Sequence, residues 1–133
     1  MKKHTPMIVA LIMSIIWVGF SGIYHYGDDT ILLGLNILPL ILWTIGLVTL
    51  YFIYMKVKGP YRFLKVTLFY VLALMTLESI GYHLLNIQLT SNYTGIFGLD
   101  VLHVPLYAKI YYMIAGPLYL LKVKYLQTRW GLV

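Results

Sequence analysis

Glu78 and His83 interrupt the stretch LESIGYHLLNIQLTSN (residues 77–92), which otherwise suits lipid. Helical spacing gathers polar neighbours around them. Thr76, Ser79, His83, Asn86 and Thr90 follow one another at intervals of 3, 4, 3 and 4 residues, which makes one stripe on a helix. Glu78 falls beside that stripe, with Tyr82 between it and Ser79 in angle. Further along, DVLH sets Asp100 three residues before His103, one turn apart if the stretch is helical. An imidazole oriented by a carboxylate is the basic unit of acid–base chemistry.

Three kinds of chemistry could use these residues. In an enzyme, His83 would be the general base. Glu78, Asp100 and His103 would orient it or supply the acid, and Asn86 or Tyr111 would donate to a developing oxyanion. Such a set suits acyl or prenyl-lipid chemistry on a lipid or isoprenoid substrate. In a b-type cytochrome, His83 would pair with His25 or His103 across a haem, which needs two imidazoles on facing helices at similar depth. In a binding protein, the same polar groups would line a cavity. His25, Asp28, Asp29, Asp100 and His103 share one side of the chain, but no ligand spacing is diagnostic, and no metal is assigned. Cofactors stay unassigned too. There is no nucleophile elbow, HExxH helix or phosphate-binding glycine loop, and the absence of Cys excludes thiolate chemistry.

The elements that hold these groups are dictated by composition. Of 133 residues, 61% are hydrophobic and 11% charged, and the mean hydropathy is +0.84. A soluble domain is about 45–50% apolar and about 25% charged. The composition therefore implies an all-α, polytopic integral membrane protein, with residues 1–133 forming a single membrane domain. A span needs about 20 apolar residues. Four segments qualify, at about residues 7–26, 30–55, 66–90 and 105–121, which gives a four-transmembrane-helix bundle. The opening MKKHTP and its apolar run are taken as a retained first helix rather than a cleaved leader. Residues 91–104 are too apolar for a solvated linker and are expected on the membrane surface or folded over the bundle. Pro39 and the Gly116–Pro117 pair are expected to break two of the helices.

Charge orients the bundle. Lys2, Lys3, Lys56, Lys58, Arg62, Lys65, Lys122, Lys124 and Arg129 collect on one side, and Asp28, Asp29 and Asp100 on the other. The positive-inside rule then makes both termini cytoplasmic, in a membrane of the bacterial inner (plasma) type. The net charge of +6 is a topology signal, with no nucleic acid implied.

Depth sorts the polar groups further. Ser21, Asn36, His83 and Tyr111 fall about five to seven residues in from the outer ends. His25, Asn86, His103 and Tyr107 lie nearer the surface, and Glu78 near the mid-plane. Lys109 is close enough to the end of its span to reach outward. The favoured reading is a polar cavity in the outer-leaflet half. It would be lined by His25, Asn36, Ser79, Tyr82, His83, Asn86, Tyr107 and Tyr111. It would bind or pass a small amphipathic or lipid-like ligand. The protein would contact membrane lipids and act as a homo-oligomer or as a subunit of a larger membrane complex. The competing view is that Ser, Asn and His merely glue helices together, at about 0.6–2 kcal/mol per contact.

Overall fold

The computed structural model describes residues 3–21, 31–32, 35–86 and 93–129. Four helices carry the fold. Helix α1 (Thr5–Ser21) begins with Pro6 in its first turn, where the missing N–H has no helical partner to lose. A short antiparallel ribbon follows, β1 (Ile31–Leu32) against β2 (Leu35–Asn36). It delivers the chain into helix α2 (Ile37–Lys56). Asn36 caps that helix, its Oδ1 accepting from the Leu38 N–H at 3.2 Å. The second helix thus starts at Ile37 and not near residue 30, because Asn36 has an amide to cap. Pro39 then falls in the first turn, where it interrupts no helical bond.

Gly59 (φ 90°), Pro60 and Tyr61 (φ 60°) reverse the chain after α2. Helix α3 (Arg62–Ser79) runs on into a π-helical turn, Ile80–Leu84. The turn is closed by the Leu85 N–H on the Ile80 carbonyl at 3.1 Å. Asn86 then takes a left-handed conformation, φ 55°. The third helical segment therefore covers Arg62–Leu84 rather than 66–90. That shift moves Glu78 from the expected middle of a span towards the C-terminal end of its helical segment. Helix α4 (Leu106–Arg129) follows Pro105 and passes through Gly116–Pro117 without stopping. Pro117 removes one helical bond and crowds the carbonyl four residues back. The Tyr70 hydroxyl donates to the neighbouring carbonyl of Tyr112, so the weakened stretch is tied to α3.

Helices α1 and α3 each pack against α2 and α4. The interior is built from small side chains and aromatic rings. Ala10, Ser14, Ala108 and Ala115 are fully buried, and a Cβ added to Gly116 would stand 2.6 Å from the Tyr70 ring. Trp17, Trp43, Tyr111 and Tyr112 interlock around α4, with Trp17 and Tyr111 stacked 3.8 Å apart. The exterior is apolar. Ile8, Leu11, Ile12 and Ile15 on α1, and Ile41, Leu42, Ile45 and Phe52 on α2, all point outward. The segments Ile37–Lys56 and Arg62–Leu84 are long and apolar enough to cross a membrane, with mean hydropathies of 2.1 and 1.7. Only 17% and 11% of those windows are buried, which is unlike the core helix of a soluble protein. Helix α1 is apolar but shorter, at 17 residues.

Candidate functional site

The segment 93–105 folds back over the C-terminal end of α3, and its backbone makes the site. The Leu99 N–H closes a tight turn on the Ile96 carbonyl at 2.8 Å. Its central residues, Phe97 (φ 50°) and Gly98 (φ 75°), are both left-handed, as a type I′ turn requires. Gly95 is needed beside it, since a Cβ there would stand 1.8 Å from the Leu99 carbonyl oxygen. Lys109 of α4 donates from Nζ to the Gly95 carbonyl at 3.1 Å and ties the turn down.

Leu102 is left-handed as well, at φ 56°. Its geometry aims two successive amides at one carboxylate. The Leu102 N–H meets Glu78 Oε2 at 2.8 Å, and the His103 N–H meets Oε1 at 3.0 Å. Paired amides of this kind form an anion cradle. Both oxygens accept, which is the hydrogen-bonding pattern of a carboxylate.

From Glu78 a polar chain leads outward. His103 Nδ1 lies 2.9 Å from Glu78 Oε1, and its Nε2 lies 2.6 Å from Asp100 Oδ1. Asp100 Oδ2 is 3.3 Å from His83 Nε2, which also sits 3.1 Å from the Asp100 carbonyl. The Tyr82 ring stacks on His103 and meets His83 edge-on. His103 is the buried link, with 6% of its side chain exposed, between Glu78 at 17% and Asp100 at 75%, and His83 beyond is 39% exposed.

Charge is distributed accordingly. Burial of His103 disfavours its cation, but its hydrogen bonds to Asp100 and Glu78, with their charges, outweigh burial and raise its pKa above 6.5. The Asp100 pKa is lowered below 3.8, chiefly by the hydrogen bond from His103 and then by the charges of His83 and His103, against a smaller cost of desolvation. With a carboxylate at each ring nitrogen, His103 donates at both only as an imidazolium.

The structure thus brings together Glu78, Tyr82, His83, Asp100 and His103. DVLH is not helical, so the Asp100–His103 pair comes from the loop and not from a helical turn. Ser79 lies close by, in a shallow depression with Thr76, Ile80 and Val101. Asn86 is exposed beyond the π turn, and Asn36 serves as the cap of α2. His25, with Asp28 and Asp29, lies outside the described residues.

Tyr107 and Tyr111 belong to a different place. They line a groove of about 310 Å³ between α1 and α4, with Ile16, Trp17, Phe20, Ser21 and Lys122 among its other walls. The Tyr107 hydroxyl donates to the Ser21 carbonyl at 2.8 Å. Ser21 Oγ is buried and has no partner among the described residues. Sequence reasoning missed Trp17 and Lys122 here. A signal for Trp17 existed, since it lies three residues after Ser14 and four before Ser21, on the same helical face.

A helical bundle with an apolar exterior, a His–carboxylate chain around a buried His103 at one end and an apolar groove along one side is the class that fold and site define. Comparisons with protein-family models, curated proteins and solved structures gave no match to this chain.

Proposed function

We propose that the chain is a four-span protein of a bacterial inner (plasma) membrane, with both termini cytoplasmic, that binds or passes a small amphipathic, lipid-like ligand. The observation that carries this reading is the groove between α1 and α4. Its walls are apolar, and its polar groups stand apart, with Ser21 and Tyr107 towards one end and Lys122 at the other. Fifteen residues of helix separate Tyr107 from Lys122, roughly 22 Å at 1.5 Å per residue. The Ser21 hydroxyl is buried without a partner among the described residues, which is costly unless something bonds to it, and a ligand head group would do so. The outward-facing Leu, Ile and Phe rows of all four helices suit lipid as the surrounding solvent. With almost no polar domain of its own, the chain works as a homo-oligomer or as a subunit of a larger membrane complex.

Mass spectrometry of small molecules copurified in mild detergent tests the groove. Ile16→Trp, which fills it, should strip a lipid-like species that the wild type retains. Equal ligand in both proteins would sink the reading. Reporter fusions test the topology, and should score outside at residue 95 and inside at the C-terminus.

A second reading, acid–base chemistry on a lipid or isoprenoid substrate, is favoured by the continuous chain Glu78–His103–Asp100–His83. His83 is its accessible end. Under this reading His83→Gln accumulates a ligand chemically different from the one bound to the wild type, and identical ligands would retire it. The haem alternative draws no support from His83 and His103. Their ring centroids are 5.7 Å apart, and Asp100, within hydrogen-bonding distance of both, stands where the iron would have to stand.

A further inference from the structure

We infer that His83, Asp100 and His103 form a binding site for one divalent transition-metal ion, with Glu78 as the residue that orients His103 towards it. Each of the three offers a ligand atom, and these atoms lie within 4.8 Å of one another. Metal–ligand bonds of about 2.0–2.1 Å place ligand atoms about 3.3 Å apart around a tetrahedral ion. The His83 Nε2 to Asp100 Oδ2 separation, 3.3 Å, already has that value. The His103 Nε2 to Asp100 Oδ1 separation, 2.6 Å, has to open by less than an ångström, which a rotation of the exposed Asp100 side chain provides.

The surroundings argue for a metal more strongly than the ligand atoms do. A histidine ligand usually donates its other ring N–H to a carboxylate, which fixes the tautomer and leaves the remaining nitrogen for the metal. Glu78 does this for His103, at 2.9 Å from Nδ1. Glu78 is itself held by the Leu102 and His103 amides, so its oxygens are occupied and it does not compete as a ligand. Tyr82 fixes the plane of the His103 ring from one face. The left-handed Leu102, a conformation unfavourable to a leucine, is what aims the two amides at Glu78. Ring, loop and carboxylate are thus placed before any ion arrives. Asp100 and His83 are exposed, which leaves a route in from solvent.

The donor set selects the ion. Two imidazoles and one carboxylate suit Zn²⁺, Fe²⁺ or Mn²⁺. All-oxygen sites suit Mg²⁺ and Ca²⁺, and soft sulfur suits Cu⁺. Three protein ligands leave at least one position for water, the arrangement of a reactive rather than a purely structural metal. The ion would replace the proton now shared between His103 Nε2 and Asp100. This inference does not rest on the groove ligand, whose site lies on α1 and α4.

The test uses the full chain without an affinity tag, purified in mild detergent, stripped with EDTA and titrated with Zn²⁺ by calorimetry. Co²⁺ provides a second probe through its visible absorption bands. About one Zn²⁺ should bind per chain. His83→Ala and Asp100→Asn alter exposed side chains and should fold normally while losing at least about 100-fold in affinity. Glu78→Gln should lose about 10–100-fold, as the loss of an orienting carboxylate does elsewhere. His4→Ala should bind as the wild type does. Wild-type protein that takes up no stoichiometric Zn²⁺, or His83→Ala and Asp100→Asn variants that bind it as tightly as the wild type, would overturn the assignment.

Discussion

Tyr82 lies flat on His103, with ring centroids 3.6 Å apart and planes 11° from parallel. The contact joins the π turn of α3 to a loop about twenty residues further on. It covers a ring that sits between two carboxylates. A stacked pair of this kind adds about 0.5–1.5 kcal/mol beyond area burial. Tyr82→Phe should keep the stack and leave thermal unfolding in detergent near that of the wild type. Tyr82→Ala should destabilise by about 1–3 kcal/mol, the sum of a lost stack and lost burial. Equal unfolding temperatures for the Ala and Phe variants would mean that the stack contributes nothing.

Glu78 gives a sharper contrast. Both of its oxygens accept from backbone amides, so an amide side chain cannot replace it. Glu78→Gln turns one acceptor into a donor that faces an N–H. The expected cost is about 1–3 kcal/mol, the range for a buried group left unsatisfied. Glu78→Leu leaves both amides and His103 Nδ1 without their acceptor and should cost more. Denaturation in detergent checks this ordering, and a Gln variant as stable as the wild type would refute the cradle.

The helices and the residues worth attention were legible in the sequence, and their arrangement was not. Apolar runs near 20 residues located all four helices. Glu78 and His83 stood out because lipid-facing chains rarely carry such groups. The stripe through Thr76, Ser79, His83 and Asn86 assumed a constant period of 3.6. The π turn at Ile80–Leu84 breaks that period, and no residue type in it announces the change. Asn36 was read as a cavity residue because nothing in an apolar run marks where the helix begins. The Asp100–His103 pair was expected to depend on a helical turn. The loop achieves it instead through left-handed residues, including a phenylalanine and a leucine that composition gives no reason to suspect.

The metal-free protein should show a one-sided pH profile between neutral and alkaline pH. The groups facing His103 are Glu78, Asp100, His83 and Tyr82. The folded-state pKa of His103 is raised, so its contribution is fully present below 6.5 and is lost as pH rises through the higher folded value. The folded-state pKa of Asp100 is lowered, so its contribution is present above 3.8 and is lost as pH falls through the lower folded value. Both contributions coexist between pH 3.8 and 6.5. Unfolding temperature, measured in EDTA from pH 4 to 9, should hold up to about 6.5 and then decline. Asp100→Asn removes one partner and should shrink the decline. A wild-type profile that stays flat from pH 6 to 9 would contradict the assignment.

Gly95 tests whether the loop, rather than the helix end, builds the site. A Cβ there would stand 1.8 Å from the Leu99 carbonyl oxygen, closer than any real contact. That neighbour is backbone and cannot swing away as a side chain could. Gly95→Ala must therefore open the turn at Ile96–Leu99, whose closing bond is the Leu99 N–H on Ile96. The Gly95 carbonyl also accepts from Lys109, so the tie to α4 loosens with it. Neither Glu78 nor His83 is on this loop, and the helices should survive, because their packing on one another does not involve Gly95. The expected result is a variant with wild-type far-ultraviolet circular dichroism. Hydrogen exchange should quicken at the Leu102 and His103 amides, which Glu78 now protects. Gly98→Ala is the comparison. It strains a left-handed residue, φ 75°, but meets nothing within 4 Å, so it should disturb those amides less. If both variants exchange as slowly as the wild type, the cradle around Glu78 does not depend on the turn, and the ordering of His103 must come from α3 alone.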